Sequence, residues 1–336
     1  MMHVLLFVLG VAVLMLTAVD LLWTTFVEGA GPLNRRSAMR LARVLRSLRM
    51  RLHTRRLHTW SGLIIVLVTF LTWTLLIWGG WSLIFCSATQ AVVNAATGQP
   101  ADLWSRIYFA GYCIFTLGLG DYTPHGALFQ MATVLCTGSG FFLFGVAVAY
   151  LVPVTAAATQ KRQLALTIWA LGNSPADIII RAWNGADTAA LGPHFVSMVP
   201  MLALLGENHL TYPVLHFFFS SKRSSSIGPA IASLDEAITV LECGLQKGCS
   251  LDLPALGAVR TAIDDFLATI GATFIAAVPT APPAPSLQEM RDLGIPVSDD
   301  ATFKAAVEQL APRRKLLLGL VLRDGYDWAG IWAAPK

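Results

Sequence analysis

Three long apolar stretches organise the first half of the chain, at residues 4–27, 60–85 and 129–154. Crossing a bilayer takes about 20 apolar residues, so each predicts a transmembrane helix. The first has no basic stretch ahead of it and a long apolar run, which predicts a retained helix rather than a cleaved signal. Gly29, Gly31 and Pro32 end it. Between the first two spans the pattern becomes amphipathic: at a helical repeat, Leu41, Val44, Leu45, Leu48 and Leu52 share an arc of about 100°. The second half is less apolar. Its period is helical over residues 164–183, 228–245, 253–275 and 301–322, and Pro312 breaks or kinks the last of these. Ser233 followed by Glu236 offers a capping box for a helix starting there. Residues 195–205 and 214–219 are apolar but too short to cross, and read as core or membrane-adjacent segments. Strand patterns are scarce, and residues 278–285 (VPTAPPAP) read as a linker or extended arm.

Composition sharpens this picture. Of 336 residues, 55% are apolar and 13% charged, against about 25% charged in a soluble domain. Mean hydropathy is +0.61. A disordered chain is excluded and an ordinary cytosolic enzyme is argued against. The expectation is an all-α membrane protein in four parts. Residues 1–28 form an N-terminal transmembrane helix and 29–58 an Arg-rich interfacial helix. Residues 59–158 form a two-span unit and 159–336 a helical cytoplasmic domain.

Charge gives orientation. Residues 35–56 carry nine Arg and no acid, which places them in the cytoplasm. Residues 86–100 carry no Lys or Arg, while Lys161 and Arg162 follow the third span. The amino terminus is then outside and the carboxyl terminus cytoplasmic, as in a multi-pass protein of the plasma membrane. So short a basic segment argues for a membrane surface and against nucleic acid as partner. Arg40, Arg43, Arg46 and Arg49 recur at the spacing of a voltage-sensing helix. The apolar arc, and the single helix ahead of it, argue instead for an interfacial helix with these arginines on anionic headgroups. Asp20 lies about two turns inside the inner end of the first span. It either pairs with one of the arginines or is hydrated near the interface. The five cysteines are scattered and suggest no disulfide framework; Cys243 and Cys249 read as free thiols.

The chemistry lies between the second and third spans, in ADLWSRIYFAGYCIFTLGLGDYTPHG. Residues 103–115 suit a short helix that enters the membrane without crossing it, with Asp102 and Trp104 at its start. Thr116-Leu117-Gly118-Leu119-Gly120-Asp121 follows. Extended backbone at membrane depth survives only where protein buries it or water fills the adjacent cavity. Glycines at alternate positions permit φ > 0, so successive carbonyls can point to one side. Four such strips about an axis make rings of oxygens that replace a cation's hydration shell. Leu117 and Leu119 would pack behind the strip.

This TxGxGD motif with its trailing Tyr122-Thr123-Pro124, between two spans, resembles the selectivity filter of the potassium channel superfamily. The resemblance implies the pore fold of helix, re-entrant pore helix and filter, and helix. It makes Thr116, Leu117, Gly118, Leu119 and Gly120 the K⁺ ligands. Asp121, with Tyr108 and Tyr112 of the half-helix, would support the filter. It implies a homotetramer, since one filter sequence occurs per chain. K⁺ is the only ion required, and no other cofactor. Two positions depart from the family: Leu119 stands where Tyr or Phe is usual, and Phe115 where a second Thr is common. Both bear on selectivity and keep a weakly selective cation channel open as an alternative, beside a membrane sensor or scaffold that conducts little. In the third span Gly138, Gly140 and Gly145 suit either a gating hinge or close helix packing, and Pro153 a lower bend. No nucleophile–base or metal constellation suggests an enzyme. In the cytoplasmic half no dinucleotide or phosphate-binding motif occurs, and the ligand, if there is one, is unidentified. Glu207, His209 and His216 lack metal-ligand spacing and read as satisfied side chains. The basic, serine-rich residues 220–226 read as a solvated loop, and Trp328 and Trp332 as a docking tail.

Overall fold

The computed structural model describes residues 1–27, 29, 31–52, 55–246, 252–271, 275 and 277–333, without the side chains at 46, 49–52 and 55–57. It is mostly helical and forms two compact units. One unit comprises Met1–Arg51 and Ser61–Thr155, the other Leu52–Trp60 and Ala156–Lys336.

The first unit contains α1 (Met2–Phe26), α2 (Pro32–Leu52), most of α3 (Arg55–Cys86), α4 (Leu103–Ile114) and the first part of α5 (Ala127–Leu171). Three helices are long and apolar enough to cross a membrane, Met2–Phe26, His58–Cys86 and Ala127–Leu171. They match the three predicted spans, the first ending one residue earlier than expected. Leu63, Leu67, Leu71 and Leu75 form an exposed stripe along α3, a surface suited to lipid rather than water. Small residues bring α1 onto α3. A Cβ placed on Gly10 would lie 2.7 Å from the Gly80 carbonyl oxygen. Apolar contact between spans carries little hydrophobic drive inside a bilayer, so such close approaches matter more there.

Asp20 has no exposed surface, and among the described residues its carboxylate is bound by backbone and indole N–H groups rather than by an arginine. Oδ1 accepts from the backbone N–H groups of Leu33 (2.7 Å) and Asn34 (3.2 Å), in the first turn of α2. Oδ2 accepts from the Trp73 indole N–H of α3 at 2.9 Å. Thr24 Oγ1 accepts from the Gly31 N–H at 3.0 Å, and Thr69 donates to Asn34 Oδ1 at 2.8 Å. Both expectations for this residue are therefore corrected. The carboxylate closes the corner between α1 and α2 by satisfying orphan donors at a helix start, where negative charge is favoured.

The second unit is built around α8 (Ile227–Thr239), of which every residue is buried. Packed on it are α6 (Pro175–Ala182), α9 (Leu253–Gly271), α12 (Ala311–Arg323) and α13 (Ala329–Trp332), while α7 (Leu191–Thr211) lies along α9. The short helices α10 (Gln288–Asp292) and α11 (Asp300–Gln309) complete it.

Several boundaries differ from expectation. The predicted helix over 164–183 is two, because Gly172 and Pro175 interrupt it and Ser174 caps α6 by accepting from the Asp177 N–H at 3.0 Å. Residues 195–205 belong to a 21-residue helix that tolerates Pro200 inside it. Pro312 does end one helix, lying in the first turn of α12. The capping box is absent: Ser233 and Glu236 lie within α8, and Ser226 holds the cap position. Glu236 instead forms a two-pronged ion pair with Arg314, at 2.6 and 2.9 Å. Asp235 pairs with Arg260 at 2.8 Å and with Arg313. Arg314 also donates to the carbonyls of Pro282 (2.8 Å) and Pro283 (3.0 Å), so the proline-rich arm is held against the core.

Asp20→Ala would strip an acceptor from one indole and two helix-start amides. It is expected to destabilise the protein by about 2–4 kcal/mol, and Asp20→Asn by less than half of that. Thermal unfolding of the detergent-solubilised chain measures both; an alanine variant as stable as wild type would remove the corner's structural importance.

Candidate functional site

The stretch between α3 and α5 is organised by hydrogen bonds at both ends. Asp102 accepts from the Ser105 N–H at 2.7 Å and so starts α4. Beyond the motif, β2 (Tyr122–Pro124) pairs antiparallel with β1 (Val92–Asn94) in a two-stranded sheet. The Tyr112 hydroxyl donates to the Tyr122 carbonyl, tying the end of α4 to the strand that follows the motif. Ser105 donates to the Tyr122 hydroxyl at 2.9 Å, and Tyr108 lies edge-on to Tyr112 at 5.4 Å. The Asp121 backbone carbonyl accepts from the Ala95 N–H at 2.9 Å, and its carboxylate accepts from the neighbouring Tyr122 N–H at 3.2 Å and from the Tyr108 hydroxyl. Within the subunit, Asp121 is held by both its backbone and its side chain.

Between these anchors runs the strip itself. Thr116, Gly118 and Gly120 have φ of +55°, +60° and +78°, and Leu117 and Leu119 do not share the left-handed region. Positive φ therefore recurs at every second residue along the strip. For a β-branched threonine this conformation is a genuine outlier, and such strain gathers where function holds it. Leu117 and Leu119 are 55% and 62% exposed. Within one subunit each side chain is therefore more than half open.

Two helices bracket α4. From α3, the Trp78 indole donates to the Ile107 carbonyl at 2.9 Å, and a side chain on Gly111 would press on its ring. From α5, Cys136 donates to the Ala110 carbonyl at 3.7 Å, and Ser139 accepts from the Trp81 indole at 2.9 Å. A Cβ on Gly140 would collide with the backbone carbonyl of Ile114, whereas Gly138 and Gly145 have no atom within 4 Å of theirs. Gly140 is thus a close-approach glycine on which the last turn of α4 rests. α5 runs unbroken through Pro153. Sequence reasoning missed Trp78, Trp81, Cys136 and Ser139; the signal available was three tryptophans in nine residues of one span, Trp73, Trp78 and Trp81, each an indole donor in apolar surroundings.

The remaining candidates lie apart from this stretch. Arg40 and Arg43 are exposed on α2, beside the exposed apolar Val44 and Leu48; the side chains of Arg46 and Arg49, and all of Cys249, lie outside the described residues. Cys243 is a free thiol. Among the described residues no cluster of His, Cys, Asp or Glu is arranged to hold a metal ion. His209 and His216 are buried with ring centroids 4.5 Å apart, and His209 Nδ1 lies 2.7 Å from the Leu205 carbonyl. Burial first, and then the Lys161 charge, hold His209 down to about 3. Burial and then His209 hold His216 well below its usual value. Arg223, in the serine-rich segment, is committed to the tail: it donates to the carbonyls of Ile331 (3.2 Å) and Ala333 (3.1 Å) and stacks on Trp169 at 4.6 Å.

Three apolar spans, a short helix closed against two of them and a glycine strip with positive φ at every second residue define the class as an ion-channel membrane protein. A family model described as "Ion channel" matches residues 63–156, the same stretch. The "Uncharacterized membrane protein YdjJ" of Bacillus subtilis (strain 168) is 33% identical over 319 residues, covering 94% of this chain and 93% of its own. No solved structure matches. The chain belongs to the family of that bacterial membrane protein, within the potassium channel superfamily.

Two predictions follow from these contacts. Gly140→Ala forces apart α4 and α5 and is expected to cost about 1–3 kcal/mol in thermal unfolding, while Gly138→Ala costs nothing measurable. Equal effects would deny Gly140 its packing role. The buried histidines are neutral in the fold but take protons near pH 6.5 when unfolded. Their contribution is complete above pH 6.5 and is lost as pH falls. At pH 5 the loss is about 2 kcal/mol per ring. Glu236 and Asp324, both raised chiefly by burial, act in the opposite sense, since a carboxyl raised in the fold favours it as pH falls, and so offset part of this loss. The unfolding midpoint should therefore fall between pH 6.5 and 5, and His209→Leu with His216→Leu should flatten that slope.

Proposed function

We propose that four copies of this chain surround a passive, potassium-selective pore. The observation that carries the reading is the return of positive φ at every second residue, Thr116, Gly118 and Gly120, in a strip its own subunit leaves exposed. Alternation turns successive carbonyls to one side, and three further strips around an axis would supply both the missing cover and the rings of oxygen. In this reading α4 is the re-entrant pore helix and α5 the pore-lining helix. The carbonyls of Thr116, Leu117, Gly118, Leu119 and Gly120, with the Thr116 hydroxyl, hold dehydrated K⁺. Tyr112 braces the outer end of the strip through β2, with Tyr108 and Asp121 beside it. Bending of α5 would fall at Gly138 or at Pro153, whose missing N–H frees a carbonyl one turn back, rather than at Gly140. The amino terminus lies outside the plasma membrane and the second unit in the cytoplasm. α2 lies on the inner leaflet, with Arg40, Arg43, Arg46 and Arg49 on anionic headgroups. No cofactor beyond the permeating ion is invoked.

Leu119 favours a second reading. It is 62% exposed and offers no hydrogen bond with which to brace the strip. A less braced filter discriminates K⁺ from Na⁺ less well.

Flux in liposomes under K⁺ or Na⁺ gradients distinguishes these. Gly118→Ala forces a side chain into a left-handed position and is expected to reduce K⁺ flux to background. Equal K⁺ and Na⁺ flux from wild type, abolished by the same substitution, supports the second reading. Flux unchanged by Gly118→Ala overturns both.

A further inference from the structure

Two helices of the first unit continue into the second, and one short segment holds the continuing ends of both. At the start of α3, His58 stacks on Phe219 with ring centroids 3.6 Å apart and planes 17° from parallel. Near the end of α5, Lys161 is buried and its ammonium donates to the carbonyls of Leu215 (3.3 Å) and Phe218 (3.0 Å). One turn earlier on α5, Ala157 and Ala158 pack on Leu215, with Tyr212 and Phe218 around them. Gln160 accepts from Asn208 of α7 at 2.9 Å. The segment is fixed to the core in turn. Arg323 of α12 donates to the His216 carbonyl at 2.7 Å and lies over the Phe217 and Phe219 rings at 5.8 and 5.9 Å.

We propose that the tight turn Pro213–Phe217 and the two phenylalanines after it form a latch, which ties the inner ends of α3 and α5 to each other and to the core of the second unit. The proposal rests on the reading of these helices as the outer and inner helices of a pore. Opening or closing such a pore displaces the end of α5 relative to that of α3. The latch opposes that displacement because both ends are bound to the same few residues. Its joints suit reversible use. One is a flat ring stack and the other a pair of bonds from a single ammonium to backbone carbonyls. A cavity of about 40 Å³ beside Lys161, lined also by Phe218, Phe219 and Asp324, leaves the ammonium room to swing away. The second unit then controls the pore by making and breaking these joints, and whatever loosens Pro213–Phe217 from α12 releases both helices at once.

Single-channel recording of the full chain in planar bilayers tests this. Lys161→Met and Phe219→Ala are each expected to shorten one dwell time, open or closed and the same one in both, by about tenfold, the worth of one charged hydrogen bond. The other dwell time stays unchanged. Both dwell times within about twofold of wild type in both variants overturn the latch. A second measurement does not depend on conduction. In His58→Ala, which removes the ring stack of the α3 joint, backbone amide exchange should quicken about tenfold at residues 214–219 and also at 157–162 on α5. Unchanged exchange at 157–162 overturns the latch even if wild type passes no current, whereas absent current with quickened exchange counts against the pore alone.

Discussion

A backbone amide or indole N–H placed in hydrocarbon has no water to turn to, and the first unit is arranged around that constraint. Its large aromatic residues serve as donors as much as bulk. Trp73 reaches Asp20, Trp78 reaches the Ile107 carbonyl, Trp81 reaches Ser139, and Tyr112 reaches the Tyr122 carbonyl. The three indole bonds join residues 29 to 58 positions apart, so satisfying the donors also fixes the tertiary arrangement. The same logic explains a carboxylate in an apolar helix. Asp20 would be costly alone, but it ends three donors at once and sets where α2 departs.

The second unit solves the opposite problem. Its central helix is covered on every side, yet carries Asp235 and Glu236. Removing such acids from water costs several kcal/mol each unless partners are well placed. Arg260, Arg313 and Arg314 supply them, and Arg314 spends its remaining donors on the proline-rich arm. A buried pair of this kind is weak evidence for added stability over an apolar core. It does dictate register, because α8 and α12 can meet in only one alignment without stranding a charge.

The spans and the glycine motif were legible in the sequence because each depends on local pattern: length of an apolar run, alternation of glycine, a preceding half-helix. The Thr116 backbone conformation was not, since no propensity favours threonine there and only the strip as a whole imposes it. Asp20 was misjudged because its partners are backbone N–H groups thirteen and fourteen positions on and an indole fifty-three positions on, none of which a charge pattern displays. Ser233 and Glu236 have the spacing of a helix start, but spacing alone does not tell a cap from a buried face that finds its arginine elsewhere. The length of α7 was hidden because its ends, residues 191–194 and 206–211, are more polar than the apolar run 195–205 between them.

The ion pair between Glu236 and Arg314 has a consequence for biosynthesis. Its members are 78 residues apart. A ribosome adding about 5–20 residues each second therefore exposes Glu236 for roughly 4–16 s before its arginine exists. During that interval α8 has no finished surroundings, although all of its residues are destined for the interior. The last third of the polypeptide is thus not an appendage to a domain already formed: the second unit can close only once translation has passed α12, and a chain cut short before that point would leave its most apolar helix without a place to go.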